Sequence, residues 1–169
     1  FLLLLLLALS ALTIISTHPH PLDPLSPSEI AAVRRAVRRS PLGTSNSLTF
    51  QYVGLDEPDK PLLLSWLSAP HAAPPPPRRA LAILRSDGET HELTVALSGA
   101  GASVVSDRTY RGPGFPMMTL EEQTAACLLP FNYTPFVASV ARRGVELRDV
   151  ACETFSVGWF GEAGEGKER

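Results

Sequence analysis

The spacing of apolar positions changes several times along the chain, and each change marks an element. Ile30, Val33 and Val37 recur at helical spacing and give one narrow apolar face. Ahead of them Ser26 can cap, Pro27 suits the first helical position, and Glu29 completes a capping box. Leu25 and Ile30 are placed for a hydrophobic staple across that cap. Arg34, Arg35, Arg38 and Arg39 gather at the far end, where the helix dipole favours cations, so this basic cluster reads as a solvated helix end. Pro41 and Gly43 stop the helix.

Period-two patterns follow. Leu48, Phe50 and Tyr52 alternate with Thr49, Gln51 and Val53, predicting a strand that turns an aromatic face toward the helix. Leu62, Leu64 and Trp66 form a second run, read as another strand. The proline-rich stretch 70–77 predicts an extended, solvated connection. Segments 80–85 and 90–97 flank Ser86-Asp87-Gly88-Glu89, and Asp-Gly between two such runs predicts a tight hairpin. Gly99-Ala100-Gly101 turns the chain again, and 103–110 supplies a last strand. One helix and four or five antiparallel strands make an α+β domain over 22–111.

Gly112-Pro113-Gly114 reads as a boundary. Beyond it, Thr119 and Glu122 repeat the capping box, and Pro130 interrupts the helix they begin. Thr134-Pro135 opens another helix through Phe136, Val137 and Val140, closed by Arg142, Arg143 and Gly144. Phe155, Val157 and Trp159 alternate as a single strand. This second unit, 115–161, is expected to be an incomplete α+β domain, and 162–169 a divergent polar tail.

The first residues follow a different logic. Segment 1–17 is a leucine-rich run with a small-residue exit, which reads as a secretory signal peptide whose basic start is missing. Its apolar stretch of about fifteen residues falls short of the roughly 20 that span a bilayer, so no stable membrane span is expected. A formal charge of −2 gives no electrostatic reason to expect nucleic acid or an anionic membrane as partner. In an oxidising compartment a disulfide between Cys127 and Cys152 is chemically permitted, although spacing alone does not establish the pairing. Asn132-Tyr133-Thr134 is an acceptor triplet for N-glycosylation at Asn132.

Catalysis needs nucleophiles, bases or ligands that can converge. His18 and His20 lie beside the signal exit, His71 in the proline loop, and His91 on a strand with Glu92 on its opposite face. His18-x-His20 has the look of a ligand pair, but no third ligand stands at a recognisable spacing. Nucleophile elbow, phosphate loop and dinucleotide fingerprint are all missing. No catalytic, cofactor-binding or metal residue is therefore expected in this chain.

The wording of several segments carries more than their chemistry. His20-Pro21-Leu22-Asp23-Pro24-Leu25-Ser26 and Tyr52-Val53-Gly54-Leu55-Asp56-Glu57-Pro58, then Gly88-Glu89-Thr90-His91-Glu92-Leu93, Val104-Val105-Ser106-Asp107 and Gly114-Phe115-Pro116-Met117, resemble plant copper-containing primary amine oxidases. Glu121-Glu122-Gln123, Pro135-Phe136-Val137, Arg142-Arg143-Gly144 and Val157-Gly158-Trp159-Phe160-Gly161 continue the match in the same order.

The resemblance implies two small α+β domains ahead of a large catalytic domain. In the parent family that domain holds copper(II) on three histidines, matures a tyrosine into topaquinone and works as a homodimer. It turns primary amines, oxygen and water into aldehyde, ammonia and hydrogen peroxide. Asn132-Tyr133 invites comparison with the quinone precursor, but Thr134 follows where the family has an acid. Cys152 matches a position that in plant members pairs with a later cysteine, and Cys127 has no family counterpart. The expectation is an amino-terminal fragment of a secreted enzyme of the extracellular apoplast, holding no cofactor itself and inactive alone. A rival reading is a secreted cystatin-like binding or inhibitor module, since Gln51-Tyr52-Val53-Gly54 approaches the Gln-x-Val-x-Gly inhibitory loop.

Overall fold

The computed structural model describes residues 20–69, 74–99, 101–155 and 160–162. The signal-peptide reading of 1–17 and the strand positions Val157 and Trp159 lie outside those residues.

Helix α1 (Pro27–Arg39) begins as the capping chemistry dictates. Ser26 Oγ accepts from Glu29 N–H at 3.3 Å, and Glu29 Oε2 accepts from Ser26 N–H at 2.7 Å. Two of the helix's orphan donors are thereby satisfied. Val33 and Val37 are fully buried and Ala32 nearly so, while Ile30 is half-buried.

Four strands form one antiparallel sheet in chain order: β1 (Thr49–Asp56), β2 (Arg79–Ser86), β3 (Glu89–Ser98) and β4 (Gly101–Thr109). Burial alternates along the inner strands, with Ala80, Ala82 and Leu84 of β2 and Leu93 and Val95 of β3 on the inner face. These residues close on Val33 and Val37 to make the core, and Leu25, Leu42 and Leu48 pack at its margin. Asp87 and Gly88 join β2 to β3 with φ of 50° and 84°, the positive pair that a two-residue type I′ hairpin requires. The expected α+β class and helix-on-sheet layering are present, with four strands.

Two sequence-based expectations are corrected. Leu62, Leu64 and Trp66 are not in a strand: they lie in helix α2 (Lys60–Ser68). Three consecutive leucines satisfy either period, and Pro61 stands in the first turn, where its missing N–H is harmless. Leu63 is the buried leucine, and Trp66, half-buried, follows one helical turn later. The aromatic face of β1 is also broken. Its register against β2 shifts between Phe50 and Tyr52, so Phe50 pairs with Leu84 on the inner side while Tyr52 pairs with Ile83 on the outer. The extra residue of this bulge, Gln51, inverts the alternation. Phe50 and Val53 then face the core, and Tyr52 is 48% exposed.

After the turns at 111–114, Arg85 stacks over the Phe115 ring at 5.3 Å. Helix α3 (Leu120–Leu128) opens on a complete capping box between Thr119 and Glu122. Pro130 sits in a 3-10 turn, Leu129–Asn132, which leads to helix α4 (Thr134–Arg142). Gly144, at φ 68°, ends α4: its N–H donates to Ala141 O at 3.0 Å and Val145 N–H to Val140 O at 3.4 Å. That is the Schellman pattern expected of Arg-Arg-Gly at a helix end. Phe155 lies outside any regular element and is 78% exposed. No helix among the described residues is long and apolar enough to cross a membrane.

Candidate functional site

Each described histidine has its own local partners. His20 sits in a turn closed by Asp23 N–H donating to His20 O at 2.8 Å; its Nδ1 accepts from Leu22 N–H, and its ring meets Trp66 edge-on at 5.5 Å. His91, on the inner face of β3, has Nδ1 2.9 Å from Asp107 Oδ1 on β4. His18 and His71 lie outside the described residues. Among the described residues no three of His, Cys, Asp or Glu converge. Copper wants at least three such donors around one point, and the described side chains do not fit it.

Tyr133 stands at the surface. It is exposed at the start of α4, between an exposed Asn132 and Thr134. An open groove of about 760 Å³ runs beside it, walled by Leu129, Pro130, Tyr133, Pro135 and Phe136, with Asn132 and Ser139 as its remaining polar side chains. Phe131 and Phe136 meet edge-to-face at 6.1 Å next to it. Its lining has no carboxylate, imidazole or thiol, so it offers apolar contact and no group that exchanges protons near neutrality.

The remaining candidates are placed as follows. Cys127 and Cys152 are half-buried free thiols. Gln51-Tyr52-Val53-Gly54 lies inside β1, paired with β2, and is not a loop tip of the kind an inhibitor inserts. Gly54 is closely covered by the Tyr52 side chain.

Polar groups are instead spent on joining elements. Arg78 donates from Nε to Glu29 Oε1 at 2.5 Å and from one terminal nitrogen to Glu29 Oε2 and Pro24 O. The Arg78 hydrogen bonds, with those from Ser26, outweigh burial and hold the Glu29 carboxyl at a pKa of about 2. Asp87, at the hairpin tip, accepts from the hydroxyls of Ser47 at 2.9 Å and Ser45 at 3.0 Å. Those bonds, Ser47 first, pull its pKa below the usual carboxylate range. Sequence reading recognised the cap role of Glu29 and the turn role of Asp87, but missed their distant partners. Contacts that span some forty residues leave no local pattern.

The family described as copper amine oxidase, N2 domain, matches residues 20–107, and the chain belongs to the copper amine oxidase family. Among plant relatives it is 44% identical over 147 residues to primary amine oxidase 2 of Arabidopsis thaliana. It is 42% identical over 152 residues to the copper-containing amine oxidase alpha 3, peroxisomal, of the same plant, and 36% over 163 residues to the primary amine oxidase of Lens culinaris. These alignments take in 86%, 89% and 90% of this chain but 22%, 22% and 24% of the respective relatives. The chain thus spans under a quarter of the length of the curated relatives it matches.

Proposed function

We propose that this chain is an amino-terminal, non-catalytic portion of a copper- and topaquinone-dependent primary amine oxidase. On this reading 22–111 is its first small α+β domain, 115–161 part of a second, and 162–169 a tail. The parent enzyme, a homodimer, would oxidise primary amines to aldehyde with release of ammonia and hydrogen peroxide. This portion contributes no catalytic residue and is inactive alone. The observation that carries the reading is the coverage: most of this chain aligns, and only about a fifth of each relative does.

The test is an assay of the purified chain with copper(II) present. Peroxide release from putrescine or benzylamine should stay at the buffer background, and quinone-specific redox staining should be blank. Stoichiometric copper binding with peroxide release would overturn the proposal.

We place the chain in the secretory pathway, ending outside the cell, on the leader-like segment 1–17 and the acceptor triplet at an exposed Asn132. Two relatives from Arabidopsis thaliana carry the word peroxisomal in their names, so the compartment has a concrete rival. Expression in plant cells decides it. A glycosidase-sensitive mass at Asn132 and recovery from the apoplast are expected; an unglycosylated, peroxisome-associated chain would refute the placement.

A further inference from the structure

Asn132 is at once an acceptor residue and part of a wall. It closes the 3-10 turn Leu129–Asn132, is exposed, and lines the open groove with Leu129, Pro130, Tyr133, Pro135 and Phe136. Tyr133, the next residue, is 62% exposed, and its side chain makes no capping bond at the start of α4. Leu129 is 69% exposed. The apolar surface of the groove is thus open to water at the point where a sugar would be attached.

We propose that an N-linked glycan on Asn132 lays its first N-acetylglucosamine in this groove, against the Tyr133 ring, and so covers the apolar wall at the start of α4. The inference rests on the glycosylation of Asn132 proposed above. In the attachment step Asn132 Nδ2 takes the anomeric carbon of a lipid-pyrophosphate-linked oligosaccharide. The N–C bond forms, the C–O bond to pyrophosphate breaks, the lipid pyrophosphate leaves and Nδ2 gives up one proton.

A pyranose ring is amphipathic, with C–H groups on its faces and hydroxyls around its edge. The electron-rich face of a tyrosine ring receives such C–H groups. The groove has no charged side chain in its lining, which suits a neutral sugar, and Ser139 adds one hydroxyl to it. Its volume of about 760 Å³ lies within the range of clefts that hold small ligands. A free sugar would hold such a surface only weakly. Attachment to a residue of the groove itself makes the contact intramolecular, at an effective concentration on the order of millimolar or more.

The experiment uses the full chain secreted from cells that make oligomannose glycans, trimmed with endoglycosidase H to leave one N-acetylglucosamine. Mass spectrometry reads its attachment to Asn132, and nuclear magnetic resonance reads its surroundings. Upfield ring-current shifts of the sugar protons and Overhauser contacts to the Tyr133 ring are expected. Amides of 134–137 should exchange about threefold or more slowly than in Asn132→Gln. Tyr133→Ala leaves the acceptor triplet intact and removes no capping bond, so the sugar should remain attached while its upfield shifts are lost. A sugar attached to Asn132 without ring contacts, and with exchange as in Asn132→Gln, would overturn this inference alone. A secreted chain with Asn132 unmodified would overturn the glycosylation reading as well.

Discussion

Arg78 holds Glu29 across 49 residues of chain, and in doing so ties the first turn of α1 to the entry of β2. The guanidinium also reaches Pro24 O, so the turn ahead of the helix is fastened by the same side chain. Both side chains are largely shielded, at 12% and 15% exposure, which limits screening of the pair by water.

Stability should fall with acid in a defined window. The folded-state pKa of Glu29 is about 2 against an ordinary 4.5, so the unfolded chain takes up the proton first. The contribution is complete above about pH 4.5 and is lost as pH falls toward 2. Glu29→Gln keeps an amide able to complete the capping box and removes the charge. It should cost roughly 1.5–3 kcal/mol at neutral pH and flatten the acid limb of the denaturation profile. A profile unchanged by Glu29→Gln would show the pair to be unimportant.

The core makes a sharper contrast with the surface. Leu84 and Leu93 are fully buried at the centre of the sheet's inner face, whereas Leu67 on α2 is 46% exposed. Truncating either core leucine to alanine should cost about 2–5 kcal/mol. Leu67→Ala should change stability by no more than about 0.5 kcal/mol. Urea titrations of the three variants measure this.

The β2–β3 hairpin depends on Gly88. Its φ of 84° is open to glycine, and nothing lies within 4 Å of where a Cβ would stand. Gly88→Ala therefore meets backbone strain alone and should cost about 1–2 kcal/mol. Asp87→Ala should also loosen the hairpin from Ser45 and Ser47, seen as faster amide exchange at 45–47.

Protection should be uneven along the chain. Among the described residues beyond 111, Val140 is the one buried hydrophobic side chain, while Leu120, Leu129 and Phe155 are each more than two-thirds exposed. Amides of α3 and α4 should exchange well before those of β2 and β3. Equally slow exchange throughout would contradict this.

Much of this molecule was legible because its signals are local. Ser26 with Glu29, Thr119 with Glu122, Asp87-Gly88 and Arg143-Gly144 each form their bonds within a few residues, so the sequence alone determined where two helices start, where one hairpin turns and where α4 ends. Alternation also gave β2 and β3, since one face of each is buried. Tertiary structure decided the rest. Leu62-Leu63-Leu64 fits either period until packing selects Leu63 for burial, and the bulge at Gln51 arises from pairing with β2 that no window of β1 contains. The partners of Glu29 and Asp87 were settled the same way, because a hydrogen bond between residues forty or more apart exists only once the sheet has brought them together.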